Sequence, residues 1–275
     1  MDITSVTSYR RARTRADLAL VDGEVFIAGG TWLMSEPQPG TTGFVDLTTL
    51  GWPDLEPTET GLRISATCTI ARLVAWARSA DVPDDWHAAS LIPDAANALL
   101  ASFKVWNTAT VGGNVCRSFA AGAMVSLSAA LDATAIVWTP DGGERRLAVA
   151  DLVTGNGTNA LSPGEVLRAV DLPAHALRAR ARLRKIALAE HGRSGAVVTG
   201  RVDGDGATVF SLTASTWAPV VLRFEALPTA AALGSAVAAA PGYYTDPLGE
   251  AEWRRAVSGV LAERIRAEFA EEVAE

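Results

Sequence analysis

Residues 24–33 read Glu24-Val25-Phe26-Ile27-Ala28-Gly29-Gly30-Thr31-Trp32-Leu33, and residues 110–114 read Thr110-Val111-Gly112-Gly113-Asn114. The first stretch is a short apolar run that stops at two glycines, the pattern of a buried strand entering a tight turn. Thr31 to Met34 is then expected to open a helix, with Thr31 near its N-cap. Glycines at such a turn leave backbone N–H groups uncovered, and uncovered N–H groups bind phosphate oxygens. The second stretch adds a hydroxyl before its glycines and an amide after them, groups able to bind a further phosphate oxygen or a ligand hydroxyl. Each stretch alone also fits a plain tight turn. Neither is the G-x-G-x-x-G dinucleotide fingerprint or a Walker A loop, so a Rossmann NAD site is not supported.

Working outward, Gly43 to Leu47 and Leu62 to Ala66 read as short strands. Thr69 to Ala80 reads as a helix capped by Thr69, with Ile70, Leu73, Val74 and Ala77 on one face. Ala88 to Phe103 and Ala120 to Ala133 are apolar and helix-like. Thr134 to Thr139, the turn Pro140-Asp141-Gly142-Gly143 and Glu144 to Val149 form a hairpin pattern. Glu165 to Leu172 alternates and reads as a strand. So does Arg178 to Lys185, with arginines 178, 180, 182 and 184 on one face and Lys185 on the apolar face of Ala179, Ala181 and Leu183. A lysine there either finds a partner or marks the strand end, where its stem carries the charge to water. Val197 to Val202 and Ala207 to Thr213 flank an Asp-Gly-Asp-Gly turn. Glu250 to Glu275 is an amphipathic helix with Trp253, Val257, Val260, Leu261, Ile265 and Phe269 on one stripe. Composition shifts near Pro173-Ala174, which sets the expected boundary between a unit at 1–173 (two subdomains meeting near 53) and a smaller one at 174–275.

The chain has 275 residues, 49% hydrophobic and 20% charged, enough for a substantial core in one large or two modest units. Its net charge of -7 argues against nucleic acid as the main partner. No apolar run is long enough to span a membrane and no secretory signal is visible, so a cytoplasmic location is expected. Cys68 and Cys116 stand alone, which excludes an all-Cys zinc or iron–sulfur site; buried small side chains are the simpler reading for both. His87, His175 and His191 show no metal spacing. The cluster Arg10, Arg11, Arg13 and Arg15 reads as a solvated helix face or as a dock for an acidic partner.

In ordered series these motifs resemble the FAD-binding medium subunit of molybdenum hydroxylases, the family of carbon monoxide dehydrogenase and xanthine dehydrogenase. The resemblance runs through Phe26 to Leu33, Phe44 to Leu50, Leu62 to Thr69, Thr110 to Asn114, and Gly164 to Leu167 with Leu172-Pro173. Arg184-Lys185 to Ser194-Gly195-Ala196 is similar to a further family stretch. It implies an α+β fold, with a two-subdomain α/β FAD domain followed by a smaller α+β C-terminal domain. It also implies an oxidoreductase subunit. In such enzymes a large molybdopterin subunit hydroxylates the substrate and a small 2Fe–2S subunit relays electrons. FAD in the medium subunit then passes them to NAD, oxygen or another acceptor. The assembly is expected to be a dimer of heterotrimers. By matched position, Ile27, Ala28, Gly29, Gly30, Thr31, Trp32 and Leu33, with Thr110, Val111, Gly112, Gly113 and Asn114, would hold the diphosphate and ribityl chain. Ala101, Leu167 and Lys185 would approach other parts of the cofactor.

The chain departs from the family at two places. Ala123 stands where relatives carry an acid that bonds the cofactor, so that contact is lost or replaced through backbone or Arg117. Leu183 stands where relatives carry a tyrosine. Trp32 is bulky for its position and reads either as a core residue under the loop or as a flavin-stacking one. Arg193 and Ser194 fall in a matched region near the cofactor. A scaffold subunit that has lost FAD and a stand-alone flavin oxidase are the alternatives. No residue looks placed as a substrate acid or base, which weighs against the oxidase.

Overall fold

A computed structural model describes residues 4–99, 101–190 and 192–274. The chain begins with β1 (Ser8–Arg11), β2 (Glu24–Ile27) and β3 (Gly43–Asp46), a parallel sheet in the order β1-β3-β2. β3 is buried along its length because both neighbours cover it, and Gly43 leaves room for Ser8, whose Oγ would lie 2.1 Å from a Cβ there. Then come β4 (Leu55–Thr58), β5 (Gly61–Ser65) and the helices α1 (Ile70–Ala77), α2 (Leu91–Ala98), α3 (Phe103–Trp106), α4 (Val111–Arg117) and α5 (Ala123–Ala130). The hairpin β6 (Thr134–Trp138) and β7 (Glu144–Ala148) follows. After it come α6 (Val149–Leu152), the short pair β8 (Val153–Gly155) and β9 (Thr158–Asn159), and β10 (Val166–Pro173). A five-stranded antiparallel sheet in the order β4-β5-β10-β6-β7 results. Its core packs Leu62 and Ile64 of β5 under Ile70, Leu73, Leu91 and Met124 of the helices.

The remainder is α7 (Ala174–Arg178), the antiparallel meander β11 (Arg180–Ile186), β12 (Ala196–Val202), β13 (Thr208–Thr213) and β14 (Val220–Phe224), and the helices α8 (Ala230–Ala239) and α9 (Ala251–Ala274). Leu261, Ile265 and Phe269 of α9 bury against Phe210 and Leu212. Gly200 lets α9 approach β12: a Cβ there would lie 2.4 Å from Ile265 Cγ2. Leu177, Leu183, Val197 and Ala214 belong to the same core as the five-stranded sheet's helices. Asp132, just after α5, receives Arg201 (2.6 Å) and Arg223 (2.6 Å) from the meander.

Several expectations change. Residues after Gly30 make a single turn rather than a helix, closed by Met34 N–H to the Gly30 carbonyl (2.8 Å) and Ser35 N–H to the Trp32 carbonyl (2.9 Å). The run 88–103 is not one helix. A 3-10 turn leads into α2, the chain turns extended at Leu99, Leu100 lies outside the described residues, and Phe103 starts a separate short helix. The break is held by distant side chains: Lys185 Nζ donates to the Asn97 carbonyl (2.7 Å) and Ser194 Oγ to the Ala98 carbonyl (3.2 Å), two groups a helix end leaves unpaired. Arg178 belongs to α7, not to the strand, and Val260 of α9 is exposed rather than on the buried stripe.

The basic N-terminal cluster is not a helix face. Arg10 lies in β1 and forks onto both oxygens of Glu24, each at 2.8 Å, while Arg15 covers the Trp138 ring at 4.5 Å. Hydrogen bonds from Arg10 and from the Val21 N–H lower the Glu24 pKa from 4.5 to about 2. A carboxylate depressed in the folded state adds stability above its unfolded pKa and loses it as pH falls to the folded value. The melting temperature of the wild type should therefore drop between pH 4.5 and 2 more steeply than that of Glu24→Gln, followed by circular dichroism. Parallel curves for the two proteins would remove Glu24 from the acid response.

Candidate functional site

β2 delivers Ile27, buried at its end, into the first Gly-Gly loop. Gly29 is there for close approach: a Cβ would lie 1.9 Å from the carbonyl oxygen of Thr108, a backbone atom in the segment before α4. Gly30 is there for conformation, with φ +66, in the left-handed region. Among the described residues, the N–H groups of Gly29, Gly30, Thr31 and Trp32 find no acceptor, and these four residues are exposed or half-exposed. Ala28 and Leu33, on either side, are half-exposed too.

The second Gly-Gly stretch is built differently, and the expectation of a loop with outward N–H groups fails. It is the first turn of α4. Thr110 is its N-cap, 3% exposed, and its hydroxyl accepts from Gly113 N–H at 3.0 Å. Val111 N–H donates to the Cys68 carbonyl (2.9 Å), Gly112 N–H to the Ala66 carbonyl (2.9 Å) and Asn114 N–H to the Thr110 carbonyl (3.0 Å). Gly112 lets the helix start lie on the end of β5, since a Cβ would meet Ala66 Cβ at 2.4 Å. Asn114 Oδ1 accepts from Met124 N–H at 2.8 Å, capping α5 where Gly122 has no side chain to do so. Gly113 is exposed, and the Asn114 Nδ2 amine donates to no described residue.

Arg117 closes the gap between the two stretches. At the end of α4, its Cζ lies 4.4 Å from the Trp32 ring centroid and 4.1 Å from that of Phe119, and the two rings meet edge to face at 4.9 Å. Trp32 is thus a loop residue stacked on a cation rather than a core tryptophan. The Arg117 Nε is buried with no hydrogen-bond partner, and burial lowers the pKa of the guanidinium. Phe119 has no sequence signal of its own. A left-handed Ser118 (φ +54) turns it back toward Trp32.

Ala101 and Lys185, 84 positions apart in the chain, line one cleft of about 510 Å3 with Asn97, Ser102 and Glu190. Lys185 is exposed and sits at the strand end; its partner is the α2 carbonyl already described. Ala123 and Leu167 are core residues, 1% and 3% exposed, so neither side chain faces a ligand surface. Leu183 is likewise in the core and cannot replace an aromatic cover.

Burial pushes the thiols of Cys68 and Cys116 up to about 12, which keeps both protonated and unreactive at neutral pH. No group of His, Cys, Asp and Glu among the described residues could hold a metal ion. His87 opens the 3-10 turn, His175 Nε2 is 3.6 Å from Asp132 Oδ2, and His191 lies outside the described residues. No helix among them is long and apolar enough to cross a membrane.

The family model described as "FAD binding domain in molybdopterin dehydrogenase" matches residues 8–175. No curated protein matches the chain. Among solved structures, a chain of quinoline 2-oxidoreductase from Pseudomonas putida 86 is similar at TM-score 0.79 and 19% identity, covering 99% of both chains. A chain of CO dehydrogenase from Oligotropha carboxidovorans gives TM-score 0.79 and 24% identity over 97% of this chain and 99% of that one. A chain of carbon monoxide dehydrogenase from Hydrogenophaga pseudoflava gives 0.76 and 19% over 94% and 96%. At these identities the likeness is one of fold.

Proposed function

The chain belongs to the family of FAD binding domains in molybdopterin dehydrogenases, and from that premise we propose that it is the flavoprotein electron-transfer subunit of a molybdenum hydroxylase. The observation that carries the reading is the row of four unpaired N–H groups at Gly29 to Trp32 beside the half-buried Arg117, whose buried Nε lacks a partner. A buried guanidinium Nε without a partner is costly, and the open backbone donors nearby are free to bind the same acceptor. A diphosphate supplies such acceptors, so the residues present fit the group.

In this reading Ala28 to Leu33 and Arg117 hold the diphosphate, and Asn114 Nδ2 and the exposed edge of Gly113 meet the ribityl chain. Ala101 and Lys185 border the flavin end, in the cleft they share. Ile27, Thr110, Val111, Gly112, Ala123 and Leu167 are buried and support these residues from behind. Bound FAD would supply a redox centre able to take up two electrons and pass them on. The chain's own part is to position it and to exclude alternatives. The units 1–173 and 174–275 would be the FAD domain and the C-terminal domain. Partners of the kind expected are a large molybdopterin subunit and a small 2Fe–2S subunit in a dimer of heterotrimers, with NAD or oxygen as acceptor. The solved relatives, a CO dehydrogenase and a quinoline 2-oxidoreductase, are consistent with that class.

The purified chain should be yellow, with flavin absorption bands and FAD released on heating. A colourless chain that takes up no added FAD would sink this reading and favour the scaffold alternative. Co-purification with mass analysis tests the partners separately.

A further inference from the structure

Two guanidinium groups lie over one aromatic ring. Arg117 Cζ is 4.1 Å and Arg193 Cζ 6.0 Å from the Phe119 centroid. Arg117 ends α4, whereas Arg193 comes from the connection between β11 and β12, so folding brings them together across 76 positions. Among the described residues neither meets a carboxylate, although Asp and Glu outnumber Lys and Arg in this chain by 31 to 24. Partial burial strips water from Arg117 without supplying a counter-charge, which disfavours its charged form. Stacking on Trp32 and Phe119 offsets part of that cost but occupies the faces of the guanidinium, not its N–H edge. The Arg117 Nε stays buried and unbonded. An anion that accepts from both edges supplies the missing counter-charge and the missing hydrogen bond at once, and the planar fork of arginine suits a phosphate oxygen pair.

The sugar side of the site is correspondingly poor. Ala123 is a buried methyl that offers no acceptor, and the carbonyl of the Asn114 side chain is committed to capping α5. Resting on the reading of this site as an FAD site, we propose that Arg117 and Arg193 form a two-armed clamp around Phe119 that grips the diphosphate, making that anion the main handle by which the chain holds its dinucleotide. Retention of the cofactor then depends on ionic strength, because a charge-driven contact is screened by salt.

The test uses the full chain stripped of flavin, titrated calorimetrically with inorganic pyrophosphate, ADP, riboflavin and FAD at two salt concentrations. Pyrophosphate and ADP should bind, compete with FAD and weaken as salt rises, and riboflavin should bind far more weakly. Arg117→Met and Arg193→Met should each weaken pyrophosphate by about 10- to 100-fold, the range expected for a charge-assisted hydrogen bond. Arg117→Lys should restore part of the loss. Arg193 is exposed, so Arg193→Met tests the clamp without disturbing the core. Trp32 fluorescence gives a second readout, since Arg117 stacks on that ring. FAD binding without pyrophosphate binding, or unchanged pyrophosphate affinity in both Met variants, would overturn the clamp and leave the FAD reading standing. Pyrophosphate binding without FAD binding would do the reverse.

Discussion

Gly29→Ala should leave the protein unable to retain FAD. The added methyl would sit 1.9 Å from the Thr108 carbonyl oxygen and 2.8 Å from its carbon. Both atoms are backbone, so no side chain can swing away, and relief requires the loop or residues 108–109 to shift by more than an ångström. Such overpacking costs roughly 1–3 kcal/mol. The larger effect is on the site. The shift moves the open N–H groups of Gly29 to Trp32 and pulls Trp32 off Arg117, which now stands 4.4 Å from its ring. With the diphosphate bound as proposed, several hydrogen bonds would be misaligned together, and losing two of them at about 1.5–3 kcal/mol each would weaken FAD by at least about 100-fold. Flavin content of the purified protein and the FAD dissociation constant measure this. Gly234→Ala in α8 is the control, since its Cβ would enter open space. A Gly29→Ala protein that keeps a full complement of FAD would place the diphosphate elsewhere.

Arg254→Met should produce the largest loss of stability. Arg254 is fully buried in α9, yet its guanidinium is satisfied by Asp246 Oδ1 (2.5 Å) and the carbonyls of Gly195 (2.6 Å), Ala214 (2.7 Å) and Gly249 (3.2 Å). It also covers the Tyr244 ring at 4.1 Å. Methionine fills much of the volume but takes the charged partner from Asp246 and a donor from three carbonyls; Gly249 keeps the Asp246 N–H and Ala214 the Tyr244 hydroxyl, whereas the Gly195 carbonyl keeps no other donor among the described residues. Breaking a buried pair in this way costs about 3–5 kcal/mol. For a chain of this size that corresponds to a fall in melting temperature of about 10 °C. The loss should also reach the cofactor site, because Ala214 N–H donates to the Ala120 carbonyl at 2.7 Å, next to Phe119. Arg254→Lys should recover little, since one ammonium cannot reach all four oxygens. A melting temperature within two or three degrees of wild type, to order of magnitude, would show that water replaces the guanidinium.

The strands were legible because alternation and turn chemistry are local. Glu24 to Ile27, the hairpin at 134–148 and the meander strand at 196–202 lie within a residue or two of where period and Gly-rich turns put them. Thr69 caps α1 as its hydroxyl and position imply, accepting from Arg72 N–H at 3.2 Å. The family, too, was legible in the ordered series of short motifs, and the match over residues 8–175 agrees with it.

What the sequence determined by itself was therefore the kind of chain this is and where both Gly-Gly pairs stand. The tertiary structure alone decided what each pair does. Both carry glycine for lack of a Cβ, but whether an N–H is free depends on which acceptor the fold brings to it. The Ala66 carbonyl and the Thr110 hydroxyl occupy the donors of the second pair, and nothing described occupies those of the first. The same reason hid the Arg117–Phe119–Arg193 cluster and the capping of α2 by Lys185: each joins residues tens of positions apart, and no local period records a contact made only when the chain has folded.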